Sequence, residues 1–80
     1  NPSFDELCAA VDQADWETAF RAVHTLKGVA QNLGFDRLYA VSVPLTEAMR
    51  GGKPLTDPAL LTAVKDVHQE TVAAILQLDA

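Results

Sequence analysis

Apolar residues recur along this chain at helical spacing, in four segments divided by short polar or glycine-proline breaks. In "SFDELCAAV", Phe4, Leu7, Cys8 and Val11 share one face. Ser3 with Glu6 three residues later reads as a capping box opening that helix. "DQAD" is a turn, and Asp15 caps a second helix running from Trp16 to about Leu33. The second stripe is Trp16, Ala19, Phe20, Val23, Leu26, Ala30 and Leu33, and Gly34 stands where a left-handed C-cap is needed. Asp36 is the expected cap of a third helix striped by Leu38, Val41, Leu45, Ala48 and Met49, ending at Gly51 and Gly52. Pro44 lies inside it and predicts a kink or loosened first turns. Asp57 as cap and Pro58 at the first helical position start the last helix, with Leu61, Val64, His68, Thr71, Val72, Ile75 and Leu78 on its apolar face. No strand-like alternation competes over a useful length. The expected fold is all-α, a small antiparallel up-down-up-down four-helix bundle, with residues 1–80 as a single domain.

Charge and composition then narrow the function. Eleven acidic residues against six basic ones give a formal charge of -5, which argues against nucleic acid as a partner. No apolar run approaches the roughly 20 residues of a membrane span, so no membrane role is expected. The lone Cys8 falls in an apolar register and reads as a buried free thiol, in keeping with a reducing, cytoplasmic setting. No signal-peptide pattern is present. The chain opens at Asn1 without a methionine, as a processed or trimmed fragment would. His24 and His68 have no close ligand spacing to Cys8, and neither a glycine-rich phosphate loop nor a nucleophile elbow occurs, so no metal or cofactor is expected. The scattered carboxylates read as solvated helix faces.

The informative stretch is "AVHTLKGVAQNLG", Ala22 to Gly34. His24 projects roughly 120° from the centre of the second stripe, at about 100° per residue, and should be exposed. Lys27, at i+3, borders the same patch; Gly28, at i+4, opens a gap in it, although a mid-helix glycine costs about 1 kcal/mol relative to alanine. Each residue alone has an ordinary explanation: a boundary histidine, a solvated lysine, a close-packed glycine. Together they suit one task. An exposed imidazole can act as a nucleophile and carry a phosphoryl group on a ring nitrogen. Lys27 offers positive charge to the phosphate oxygens, and Gly28 clears a wall so that a partner's active site can close over the ring. Glu17, Arg21, Gln31 and Phe35 extend this side of the helix; Arg21 could meet an acidic partner face, Gln31 could offer an amide, and Phe35 either touches the partner or packs back on the helix end.

The segment "AVHTLKGVAQNLGFDRL", Ala22 to Leu38, resembles the histidine-containing phosphotransfer domains of two-component phosphorelays, through H-x-L-K-G, N-L-G and a later R-L. "DWETAFRAVH" and "LTEAMRGG" match more loosely, and the first and last helices in pattern alone. The resemblance implies a helical bundle in which His24 is phosphorylated on the nitrogen distal to the backbone, Lys27 lies beside the phosphate, and Gly28 admits the receiver. It implies a phosphocarrier without kinase activity of its own. Phosphate would be exchanged with the aspartate of a response-regulator receiver domain carrying its own Mg²⁺, with a sensor histidine kinase as a further partner.

Two positions depart from the family pattern. Many members carry an acidic or amide residue that hydrogen-bonds the imidazole from the next helix; here that position falls on Thr46, a short neutral side chain, with Glu47 beside it and Pro44 just before. Either Thr46 or Glu47 is the expected partner of the ring. Gln31 stands where a small residue is common. The expected function is a phosphorelay intermediate, accepting and donating phosphoryl through His24. The alternatives are a receiver-binding module with weakened or lost transfer, and the phosphate-accepting domain of a larger histidine kinase. A purely structural helical oligomer leaves His24, Lys27 and Gly28 without a shared purpose.

Overall fold

The helical spacing resolves into α1 (Pro2–Asp12), α2 (Trp16–Leu33), α3 (Asp36–Ala48) and α4 (Pro58–Asp79), with one turn of 3-10 helix over Arg50–Gly52. This computed structural model describes residues 2–79, and side chains from Ser3 to Gln77. Successive helices pack against one another across short connections, the geometry of an antiparallel bundle. The molecule extends 40 × 20 × 20 Å.

Capping largely follows the sequence. Asp15 accepts a hydrogen bond from the Thr18 amide, and Asp57 accepts one from the Ala59 amide at the head of α4. Two expected caps are corrected. α1 begins at Pro2, so Ser3 lies inside the first turn, where it is buried, rather than at the N-cap. Proline is pre-set for a first helical position and takes the start one residue earlier. Phe35, not Asp36, is the N-cap residue of α3, and Asp36 instead places its carboxylate in the first turn, where it suits the helix dipole.

The end of α2 turns on Gly34, whose φ of 75° is left-handed. The Gly34 amide donates to Gln31 O and the Phe35 amide to Ala30 O, closing the helix and swinging the Phe35 ring back toward the core. That turn explains why Leu33, expected in the apolar stripe, is 61 % exposed: Phe35, two residues later, occupies the inward place.

α2 is the central element, with α1 on one side and α3 and the 3-10 turn on the other. Its inward face is mostly small, with Ala19, Ala22, Val23, Leu26 and Ala30 buried, which lets neighbouring backbones approach. Leu7 and Ala10 of α1, Leu38 and Leu45 of α3, Met49 just after it, and Val64 and Val67 of α4 complete the core. Each fully buried Leu contributes about 1.5–3 kcal/mol. α3 runs unbroken through Pro44, so the expected loosening is confined to one missing backbone donor, at an exposed residue.

α4 is longer than its neighbours. Val72, Ile75 and Leu76 of its second half remain 40–64 % exposed, although the stripe placed Val72 and Ile75 inside; Leu78 lies outside the described side chains. Among the described residues no helix is long and apolar enough to cross a membrane.

The bundle closes where Phe4 of α1 stacks on His68 of α4, with ring centroids 3.8 Å apart and planes within 2°. Burial lowers the His68 pKa below the ordinary imidazole value, outweighing the upward pull of Asp5. The unfolded chain therefore takes up this proton first as pH falls, and the folded state loses stability from about pH 6.5 downward. A thermal midpoint that falls between about pH 7.5 and 5.5, with a smaller fall in His68→Phe, is the expected result in a denaturation series.

Candidate functional site

His24 sits midway along α2, on the side away from the alanine-rich core face, and its side chain is exposed. Among the described residues no hydrogen bond or ion pair engages its imidazole. Phe20, a turn earlier, is a ring neighbour, at 5.9 Å between centroids and 47° between planes. A ring nitrogen facing solvent, free of internal partners, is available as a nucleophile.

Lys27 and Gly28 follow one turn further along the helix, both half-buried. Lys27 forms no ion pair among the described residues, but its charge is felt at Glu47 of α3, which it helps hold in the ionised form. Gly28 is informative through what surrounds it. A Cβ built there would meet no atom within 4 Å, and its φ is not in the left-handed region. Neither close helix packing nor backbone conformation therefore requires glycine at this position. At i+4 from His24, the gap lies on the same side of α2 as the imidazole, one turn along.

Arg21 lies one turn before His24 on the exposed surface, in an i,i+4 pair with Glu17 at 2.7 Å. Gln31 is exposed, two turns beyond His24. Phe35 does not join this cluster. It is half-buried against the core and lines a groove with Leu38, Val67 and Ile75, on the α3–α4 side of the bundle. It lies beyond the end of α2, whose last residue, Leu33, is nine positions after His24, about 13 Å along the helix.

Thr46 requires a correction. It is fully buried, and its hydroxyl donates to Ser42 O at 2.7 Å, just as the Ser42 hydroxyl donates to Leu38 O. Thr46 stands eight residues after Leu38 and three before Met49, in the centre of the inward stripe of α3. There it satisfies its polar group within its own helix, as a buried threonine must, and forms no hydrogen bond to His24. The alternative partner, Glu47, does not bond the ring either. Its two carboxylate oxygens accept from Nε and an Nη of Arg50, both at 2.7 Å.

Arg50 is the residue that periodicity did not single out. Left-handed Gly51 and Gly52 end the helical run and bring the 3-10 turn against the start of α2, where a Cβ built on Gly52 would meet Glu17 at 3.9 Å. The Arg50 guanidinium then lies 6.0 Å from the centroid of Phe20, the ring that also neighbours His24. The hydrogen bonds from Arg50 lower the Glu47 pKa below the usual carboxylate value, and the same bonds raise that of Arg50. The sequence signal was an acidic residue three before an arginine, followed by two glycines, a spacing common enough on helix ends to pass unnoticed.

The Hpt domain family model matches residues 3–77. The chain belongs to the Hpt domain family. Hpt domains are helical bundles of histidine phosphotransfer in two-component signalling, and interact with receiver domains and kinases. No curated protein and no solved structure matches this Hpt domain significantly. Within it, Cys8 is half-buried with its thiol pKa raised by burial, against the opposing effect of Lys65, which disfavours the reactive thiolate. Among the described residues no group of His, Cys, Asp and Glu side chains could hold a metal ion.

Proposed function

We propose that this Hpt domain is a phosphorelay intermediate in which His24 accepts a phosphoryl group from a receiver-domain aspartate and returns it to one. The observation that carries this reading is the pairing of an exposed, unengaged imidazole with a glycine whose missing side chain faces open space. A helix that gives up propensity at Gly28 with no packing reason leaves room for an incoming surface.

The transfer balances simply. The distal nitrogen of His24, Nε2, forms a bond to phosphorus as the acyl phosphate P–O bond breaks, and the receiver's carboxylate leaves. The imidazole keeps Nδ1–H and becomes a phospho-imidazolium; the reverse step regenerates the neutral ring. Lys27 meets the charge on the phosphoryl oxygens, and the receiver contributes its own Mg²⁺ at its acidic pocket. The ring meets solvent where Thr46 or Glu47 was expected to orient it, so positioning falls to the rigid helix and to Phe20. The chain acts as a phosphocarrier and not as an autonomous kinase, and residues 1–80 serve as its single transfer unit.

Lys27→Ala is the first experiment. It should slow transfer from a phosphorylated receiver by about three- to tenfold, the scale of an exposed charge-assisted contact. Helicity by circular dichroism should remain at the wild-type level, because Lys27 holds no ion pair among the described residues. Transfer at the wild-type rate would remove Lys27 from the site. Receiver binding that persists with no transfer at all would support the alternative of a docking module.

A further inference from the structure

Arg50 is a cation whose charge is already engaged by Glu47 and which is linked to His24 through their shared neighbour, the Phe20 ring. Arg50 gives two hydrogen bonds to Glu47, and its guanidinium shares the Phe20 ring as neighbour with the imidazole. Both side chains of the pair are more than half exposed, so the arginine can change partners without unpacking the core. Glu47 also senses the charge of Lys27, so the carboxylate lies within electrostatic reach of both Arg50 and Lys27.

Building on the phosphotransfer reading of His24, we propose that Arg50 is a phosphate-binding residue held in reserve by Glu47, exchanging carboxylate for phosphoryl oxygens when His24 is loaded. A phosphoryl group brings about two negative charges and three acceptor oxygens, against one charge and two oxygens on Glu47. Guanidinium matches both geometrically, in the same two-pronged manner. Glu47 is thus a competitor. It weakens the hold on phosphate and keeps the group easy to pass on, where a site of free cations would trap it. Phe20 provides the surface along which the guanidinium moves between the two anions.

The exchange is testable with phosphoramidate, a small donor containing a P–N bond. In loading, the Nε2–P bond of His24 forms as the donor's P–N bond breaks and ammonia leaves, with Nδ1–H retained. The lifetime of phospho-His24 after donor removal is then followed in wild type, Glu47→Gln, Arg50→Ala and the double variant, with circular dichroism reporting the fold. Glu47→Gln is expected to lengthen the lifetime about two- to fivefold, as an exposed ion pair released to a new partner would, and Arg50→Ala to shorten it by a similar factor. In the double variant the gain from Glu47→Gln should vanish. A gain of equal size with and without Arg50 would mean that Glu47 acts only by its own charge, and would overturn the exchange. An unchanged lifetime in Arg50→Ala would overturn it as well. Failure of wild type to load on His24, from phosphoramidate and from a phosphorylated receiver alike, is a separate result that defeats the phosphotransfer reading itself.

Discussion

His24→Gln is expected to abolish phosphoryl acceptance while leaving the bundle folded. The glutamine amide is similar in reach but has no nucleophilic lone pair at nitrogen, so transfer from a phosphorylated receiver should fall below detection, by about a thousandfold or more. Stability should barely change. His24 is exposed, and among the described residues its ring contact is a tilted approach to Phe20 and it makes no hydrogen bond that would be lost. Surface substitutions of this kind shift stability by about 0.5 kcal/mol or less. The check is a transfer assay beside a thermal melt. Loss of transfer together with collapse of the melt would point to a structural role for the histidine.

Gly28 carries the second large effect, with opposite signs for stability and transfer. Gly28→Ala should stabilise the fold by about 0.5–1 kcal/mol, since the backbone there is helical and a new Cβ meets nothing within 4 Å. For a domain of this size that raises Tm by about 2–8 °C. Gly28→Leu gains much of the same helix propensity but fills the space beside the imidazole. It should reduce transfer by about tenfold or more, equivalent to about 1.4 kcal/mol of lost docking. Melting curves and transfer rates of both variants test this together. A leucine variant that melts higher and transfers at the wild-type rate would show that the gap is not an approach path.

Much of the fold was legible because the physics that sets it is local. Helical spacing placed α2 at its observed bounds, Asp15 and Gly34 at its ends, and His24 outside the bundle, since each depends on chain geometry within one or two turns. The departures arose where partners are set by tertiary packing. Leu33, Val72 and Ile75 fit an apolar stripe, but α4 extends beyond its shorter neighbours and Phe35 takes the inward place after Leu33, leaving them exposed. Counting along the family pattern points to Thr46 as the partner of the ring. Its position in the stripe between Leu38 and Met49 already marked it as core, where a hydroxyl finds its acceptor in the preceding turn. Arg50 is not legible from helical spacing, because its proximity to Phe20 depends on a left-handed glycine pair folding the chain back on α2, a three-dimensional consequence of a two-residue signal.

The most direct test of the central claim is to locate the phosphate. The wild-type chain is mixed with a phosphorylated receiver domain, and the product is digested at alkaline pH and mapped by mass spectrometry. The account predicts one added phosphoryl group, on His24, stable in base, lost in acid and returned to the receiver when fresh unphosphorylated receiver is supplied. Phosphate found on another residue, or none on the chain after the receiver has bound and lost its own, would contradict it.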